Sequence, residues 1–175
     1  MDFELTKEQL DIQNAARQFA EAEFTNDYLL ELERGHKFPW EVWKKAGNLG
    51  FLGINYPEDV GGQGYGQLER VLVIEEFCRQ GAGAGMAVVL SNFGCRIIAN
   101  HGNEEQKRKY LPPMCRGEAM SFAAFTEPDR GSDLVTSPLA TTAVKDGDGY
   151  LINGAKTFIT GGTIASFGVV LCQTD

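Results

Sequence analysis

Phe125-Thr126-Glu127-Pro128-Asp129-Arg130-Gly131-Ser132-Asp133 is the stretch from which the rest of the chain can be read. A β-like run from Met120 delivers Thr126, and Pro128 and Gly131 then turn the chain sharply away. Such a bend leaves backbone N–H groups without ladder partners and facing outward. Those groups, together with the Thr126 and Ser132 hydroxyls, suit carbonyl and phosphate oxygens. The same turn chemistry also serves structure alone, and residue types at this point leave both uses open.

Upstream of the bend the pattern is helical. Thr6 and Gln9 have capping-box spacing and Leu5 and Leu10 hydrophobic-staple spacing, with Ile12, Ala16 and Phe19 following on one face. Pro39 suits the first position of a second helix carrying Trp40, Val42, Trp43 and Ala46, which Gly47 or Gly50 can end. Tyr56 to Gly64 is a loop. A third helix is predicted over about 68–79 and a fourth over about 85–100, with Met86, Val89 or Leu90, Phe93 and Ile97 on one stripe and Gly102 closing it. Asn103 and Gln106 start a short helix that Pro112-Pro113 is expected to stop.

Downstream the texture changes to strands, predicted over 120–126, 139–144, 150–153, 157–160 and 167–172. Gly147-Asp148-Gly149 and Asn153-Gly154 read as hairpin turns between them. Helices first and antiparallel strands after make the fold class α+β. The expected division is a helical domain over 1–115 and the first part of a β domain over 116–175. Five short strands are few for a sheet core with a ligand site, so the β domain is expected to be incomplete.

A net charge of -8 argues against nucleic acid, and the run Lys107-Arg108-Lys109 beside Glu104 and Glu105 reads as a solvated helix face. Cys78, Cys95, Cys115 and Cys172 form no Cys-x-x-Cys pair, and with only two histidines neither a metal site nor a disulfide framework is expected. Reduced thiols suit a bacterial cytoplasm or a mitochondrial matrix. Met1 to Leu10 is polar and charged, unlike a secretory signal. No apolar run is read as approaching the roughly 20 residues of a membrane span.

Several motifs now fall into one order. Thr126-Glu127-Pro128-Asp129-Arg130-Gly131-Ser132-Asp133 matches Thr-Glu-Pro-x-x-Gly-Ser-Asp, and Ile152-Asn153-Gly154-Ala155-Lys156-Thr157-Phe158-Ile159-Thr160 follows. Leu49 to Gly53, Tyr56 to Gly62, Ile74-Glu75-Glu76 and Gly102 to Pro112 precede them. In these motifs, over nearly its whole length, the chain resembles the acyl-CoA dehydrogenase family.

That resemblance implies an FAD-dependent oxidoreductase of fatty acid metabolism. It would convert an acyl-CoA to the enoyl-CoA and pass electrons to electron-transfer flavoprotein, as a homo-oligomer that is a tetramer in the family. Ala123 to Ser132 would form the first flavin segment. Phe125 and Thr126 would meet the pyrimidine side of the ring, and Gly131 and Ser132 would lie near the pyrophosphate, with Ser132 also near the pantetheine arm. Phe158, Ile159 and Thr160 would form the second, with Phe158 on the ring and Thr160 near N5. The family often carries Trp at the Phe158 position, and Phe lacks the indole N–H donor. Met86, Val89, Leu90 and Phe93 would line an acyl pocket that reads as wholly apolar, suited to a hydrocarbon chain.

The family's catalytic base belongs to a C-terminal helical domain, expected to lie outside these 175 residues. Glu127 and Asp133 flank the flavin loop but read as structural, so no catalytic residue is expected in this chain, which alone should be inactive. Two other readings keep the motifs: an acyl-CoA oxidase or flavin monooxygenase relative, and a truncated domain without bound flavin.

Overall fold

Thr6 starts the first helix as its spacing to Gln9 predicts: Gln9 N–H donates to Thr6 Oγ1 at 3.2 Å and Thr6 N–H to Gln9 Oε1 at 3.0 Å. In the computed structural model, which describes residues 4–90, 92–134 and 136–174, this is α1 (Lys7–Glu23). It is followed by α2 (Asn26–Gly35), α3 (Trp40–Asn48), a 3-10 turn (Glu58–Val60), α4 (Gln67–Gln80), α5 (Ala82–Leu90), α6 (Phe93–His101) and α7 (Glu104–Cys115). Strands β1 (Ser121–Ala124), β2 (Thr142–Asp146), β3 (Gly149–Asn153) and β4 (Phe167–Val170) come last among the described residues. The order is α then β, as the sequence predicts.

Four departures from the sequence reading have physical reasons. The stretch 26–35, left unassigned, is helical, because Thr25 Oγ1 accepts from Tyr28 N–H and Leu32 is buried. The single helix expected over 85–100 is two. Asn92, at the break, donates its side-chain amide to Leu52 O at 3.2 Å and so ties the turn to another part of the chain. Pro112 and Pro113 lie inside α7 rather than ending it. Their carbonyls still accept, from Arg116 N–H at 3.2 Å and Glu118 N–H at 2.8 Å, and burial of Leu111, Met114 and Cys115 holds the last turn in place. The strand expected over 157–160 is a bend in which Phe158 has a φ of 57°, so Asn153-Gly154 joins no hairpin.

The helical layer packs around an aromatic centre. Phe77 of α4 stacks on Phe19 of α1 at 5.2 Å and meets Phe24 edge-on at 5.7 Å. Arg17 of α1 forks onto the buried Glu76 of α4 through bonds of 3.0 and 2.8 Å, which fixes the register of the two helices. The stretch Ala82–His101 has a mean hydropathy of 1.4 and is, by length and composition alone, apolar enough to cross a membrane, contrary to the expectation that no apolar run approaches that length. Its helix is interrupted at Asn92, and Val88, Gly94 and Cys95 are buried within the fold. Of the apolar window within this stretch, 38% is buried, so the two helices are partly exposed.

The strand layer has two ladders among the described residues. β2 and β3 form the expected antiparallel hairpin, with Gly147 at φ 57° in its turn. The β1–β4 ladder runs parallel, Ser121 opposite Phe167 and Ala124 opposite Val170. β1 docks on α6, where Cys95 N–H donates to Ser121 Oγ at 3.0 Å. This docking aims the end of β1 at the bend first quoted.

Candidate functional site

β1 ends at Ala124 and releases Phe125 and Thr126 into the bend. Glu127 N–H donates to Arg130 O at 3.0 Å and Arg130 N–H to Glu127 O at 3.2 Å, closing a tight turn over Pro128 and Asp129. Beyond it Gly131, Ser132 and Asp133 are exposed. Neither the Phe125 nor the Thr126 N–H, nor those of Gly131 and Ser132, donates to another described residue. The open donors expected at this bend are therefore present. Ala123, also assigned to the first flavin segment, instead sits in the β1–β4 ladder opposite Val169.

The second segment reaches the first through two bonds. Thr157 N–H donates to Thr126 O at 2.9 Å, and Lys156 Nζ donates to Phe125 O at 2.9 Å. Thr157 is thus committed to one backbone bond rather than to a ladder, and the chain turns left-handed at Phe158. That residue is 91% exposed. A bulky side chain with positive φ and almost no packing of its own is uncommon. Ile159 is half-buried and its carbonyl accepts from Gly162 N–H at 3.0 Å, while Thr160 is exposed. Phe125 and Thr126 are thereby joined to the segment that carries Phe158 and Thr160.

Glu127 is the hub beneath that junction. Its carboxylate accepts from Ala140 N–H at 2.8 Å, Thr141 N–H at 2.7 Å and Lys156 Nζ at 3.1 Å. The Lys156–Glu127 pair is almost wholly buried, at 7% and 1% side-chain exposure. The Ala140 N–H bond first, then those from Thr141 and Lys156, hold the carboxyl down at about 2 against burial, which acts the other way. A carboxylate so held stays ionised and has its lone pairs occupied, which is the structural role expected of it. Because its folded value lies below the ordinary 4.5, its contribution to stability is fully present above about pH 4.5 and is lost as pH falls toward 2. Urea unfolding should accordingly show Glu127→Gln well below wild type at neutral pH, with the gap narrowing as the pH falls through this window. A gap independent of pH would contradict the assignment. Lys156 was not singled out from the sequence, and its position two residues before Phe158 was the available signal.

The stripe assigned to the acyl pocket is split by the break at Asn92. Val89 on α5 is buried, Met86 is 38% exposed, and Phe93, now the first residue of α6, is 49% exposed. The side chain of Leu90 lies outside what is described. Val89 and Phe93 line a cavity of about 100 Å³ that Met86 does not reach. The cavity is not wholly apolar, because tertiary packing brings Arg70 of α4 to it and the turn after Phe93 brings Arg96.

Two family models match, in the order of the two layers: "Acyl-CoA dehydrogenase, N-terminal domain" over residues 6–118 and "Acyl-CoA dehydrogenase, middle domain" over 122–175. The chain belongs to the acyl-CoA dehydrogenase family. Among curated family members, it is 38% identical over 176 residues to the short-chain-specific acyl-CoA dehydrogenase of Clostridium acetobutylicum, which covers all of this chain and 46% of that protein. It is 39% identical over 166 residues to subunit CarC of the caffeyl-CoA reductase–Etf complex of Acetobacterium woodii, covering 94% and 43% respectively. Among solved structures, the FAD complex of PigA superposes with a TM-score of 0.90 at 31% identity, over all of this chain and 46% of that one. The chain spans about half the length of these acyl-CoA dehydrogenase relatives.

Proposed function

We propose that these residues form one wall of an FAD-dependent acyl-CoA dehydrogenase site, with a helical unit over 1–115 and a flavin-binding unit over 116–175. The observation that carries this reading is the Thr157 N–H to Thr126 O bond at 2.9 Å, which joins the two loops beneath an exposed, left-handed Phe158. A planar ring with carbonyl acceptors on its edge fits there. The open N–H groups of Phe125 and Thr126 meet the edge, and Phe158 covers the face and excludes water. Gly131 and Ser132 offer N–H groups and a hydroxyl to a pyrophosphate. When bound, FAD supplies the hydride acceptor of an α,β-dehydrogenation.

The chain's own residues then position and shield. Lys156 and Thr157 occupy the Phe125 and Thr126 carbonyls, so that these oxygens do not compete for the donors. Thr160 presents a hydroxyl at the same junction. Glu127 takes no proton from a substrate, being ionised and fully engaged, and the carboxylate that removes the α-proton comes from outside these 175 residues. The named association of the Acetobacterium woodii relative with an Etf complex supports electron-transfer flavoprotein as the acceptor.

Gel filtration of the 175-residue chain after incubation with FAD tests the reading. Flavin absorbance should travel with the protein, and Phe158→Ala should shed much of it. Elution of wild type without flavin would sink the proposal. With acyl-CoA and a dye acceptor, the flavin-loaded chain should show no turnover.

A further inference from the structure

The β2–β3 hairpin keeps most of its apolar side chains in the open. Every residue of β3 is exposed, with Tyr150, Leu151 and Ile152 at 62, 57 and 51%. Val144, opposite Leu151 on β2, is exposed as well. A two-stranded hairpin is marginal in water, and a sheet gains stability of its own from three or more strands. β2 is anchored on its outer side, where Ala143 N–H donates to Gln173 O and Gln173 N–H to Thr141 O, both at 2.8 Å. β3 pairs with β2 alone among the described residues.

That anchoring fixes which groups β3 leaves open. Thr141 and Ala143 turn their polar groups away from β3, and Lys145 follows by alternation. Ala143 and Lys145 stand opposite Ile152 and Tyr150, and in such a non-hydrogen-bonded pair both residues aim N–H and C=O outward. Tyr150 and Ile152 therefore present two donors and two acceptors along one edge, and beyond the ladder no described residue bonds to them. An uncovered edge of this kind is a template for another strand. Residues 149–153 carry no charged side chain. About a two-fold axis at Leu151 the strand complements itself. Tyr150 then stands opposite the partner's Ile152, Leu151 opposite the partner's Leu151, and Asp148 opposite the partner's Gly154, so no like charges meet. A foreign strand would have to match this register with other side chains, whereas a second copy matches it by symmetry.

We propose that two copies of this chain associate through β3, pairing antiparallel about Leu151 into one four-stranded sheet. Tyr150 and Ile152 of each copy supply the main-chain bonds. Val144 and Leu151 of the two copies join into a single apolar row across the sheet. The contact falls below the roughly 1,200 Å² of stable interfaces, so the dimer is reversible and of micromolar strength. A net charge of -8 on each copy opposes it, and salt screens that repulsion. The inference is independent of flavin binding.

Sedimentation of the 175-residue chain over a concentration series is the test. The expected result is a monomer–dimer equilibrium that tightens with added salt, with protection of the Tyr150 and Ile152 amides from hydrogen exchange rising as the dimer forms. Ile152→Pro removes an outward N–H and leaves the bonds to β2 intact, so it should weaken the dimer by about tenfold or more. Leu151→Lys sets two ammonium groups face to face across the axis, and Leu151→Glu sets two carboxylates there. Each alone should be monomeric with the circular dichroism of wild type, and their equimolar mixture should recover the dimer. Recovery in the mixture separates a lost contact from a lost fold. A wild type still monomeric at about 1 mM, a dimer that survives all three substitutions, a dimer in which the Tyr150 and Ile152 amides gain no protection, or a mixture no more associated than its components overturns the proposal.

Discussion

Replacing Lys156 with Met is expected to lower stability by about 2 kcal/mol, the scale of hydrogen bonds to charged groups, and to weaken FAD binding roughly tenfold, equivalent to about 1.4 kcal/mol. Lys156 Nζ donates to Phe125 O at 2.9 Å and to Glu127 Oε1 at 3.1 Å, so one ammonium group joins the two loops and pairs with the carboxylate below them. Met fills the same volume without either bond. Glu127 keeps its Ala140 and Thr141 donors, which limits the loss. The freed Phe125 carbonyl can then accept from the donors proposed to face the flavin. Urea unfolding and fluorescence titration with FAD measure the two effects independently. An unchanged affinity together with reduced stability would make Lys156 purely structural, and no change in either would remove the clasp from the account.

Gly94→Ala should have the larger effect on the fold itself. A Cβ at Gly94 would stand 2.4 Å from Phe122 O and 3.1 Å from Ser121 Cβ, so α6 and β1 touch through bare backbone. Neither can retreat easily, because Cys95 N–H is bonded to Ser121 Oγ and β1 is bonded to β4. Overpacking of this kind costs about 3 kcal/mol, which for a chain of this size lowers Tm by about 6–12 °C. Calorimetry of the variant checks it, and a shift under about 2 °C would show that the contact is more forgiving than its geometry. Since β1 delivers Phe125 and Thr126, residual flavin binding in Gly94→Ala should be weaker as well.

Local rules made much of this legible. The capping pairs Thr6–Gln9 and Asn103–Gln106 both form their reciprocal bonds, because a cap depends on residues three apart. The β2–β3 hairpin follows for the same reason, through Gly147. Where a distant partner decided, the sequence reading failed. Asn92 breaks a helix for Leu52, forty residues away, and Pro112 and Pro113 stay helical because the turn they occupy is buried. Thr157–Thr160 has β-forming residues but is drawn into a bend by Thr126 and Lys156 contacts.

The candidate site divides along the same line. Its residue types and order, from Thr126 to Ser132 and from Lys156 to Thr160, are properties of the sequence, and so is the family they indicate. The sequence also suffices to set the α-then-β order, since periodicity and turn residues act over a few positions. Three things are decided only by tertiary structure: the parallel β1–β4 ladder, the burial of Glu127 under the Ala140 and Thr141 N–H groups and the Lys156 ammonium, and the meeting of Arg70 with Arg96 beside Val89 and Phe93. Each depends on residues more than a dozen positions apart, and their proximity is fixed by packing rather than by any local preference of the chain. The bend at Phe125–Asp133 belongs to both levels. Its open donors follow from Pro128 and Gly131, but their placement against Phe158 follows from the bond between Thr126 and Thr157.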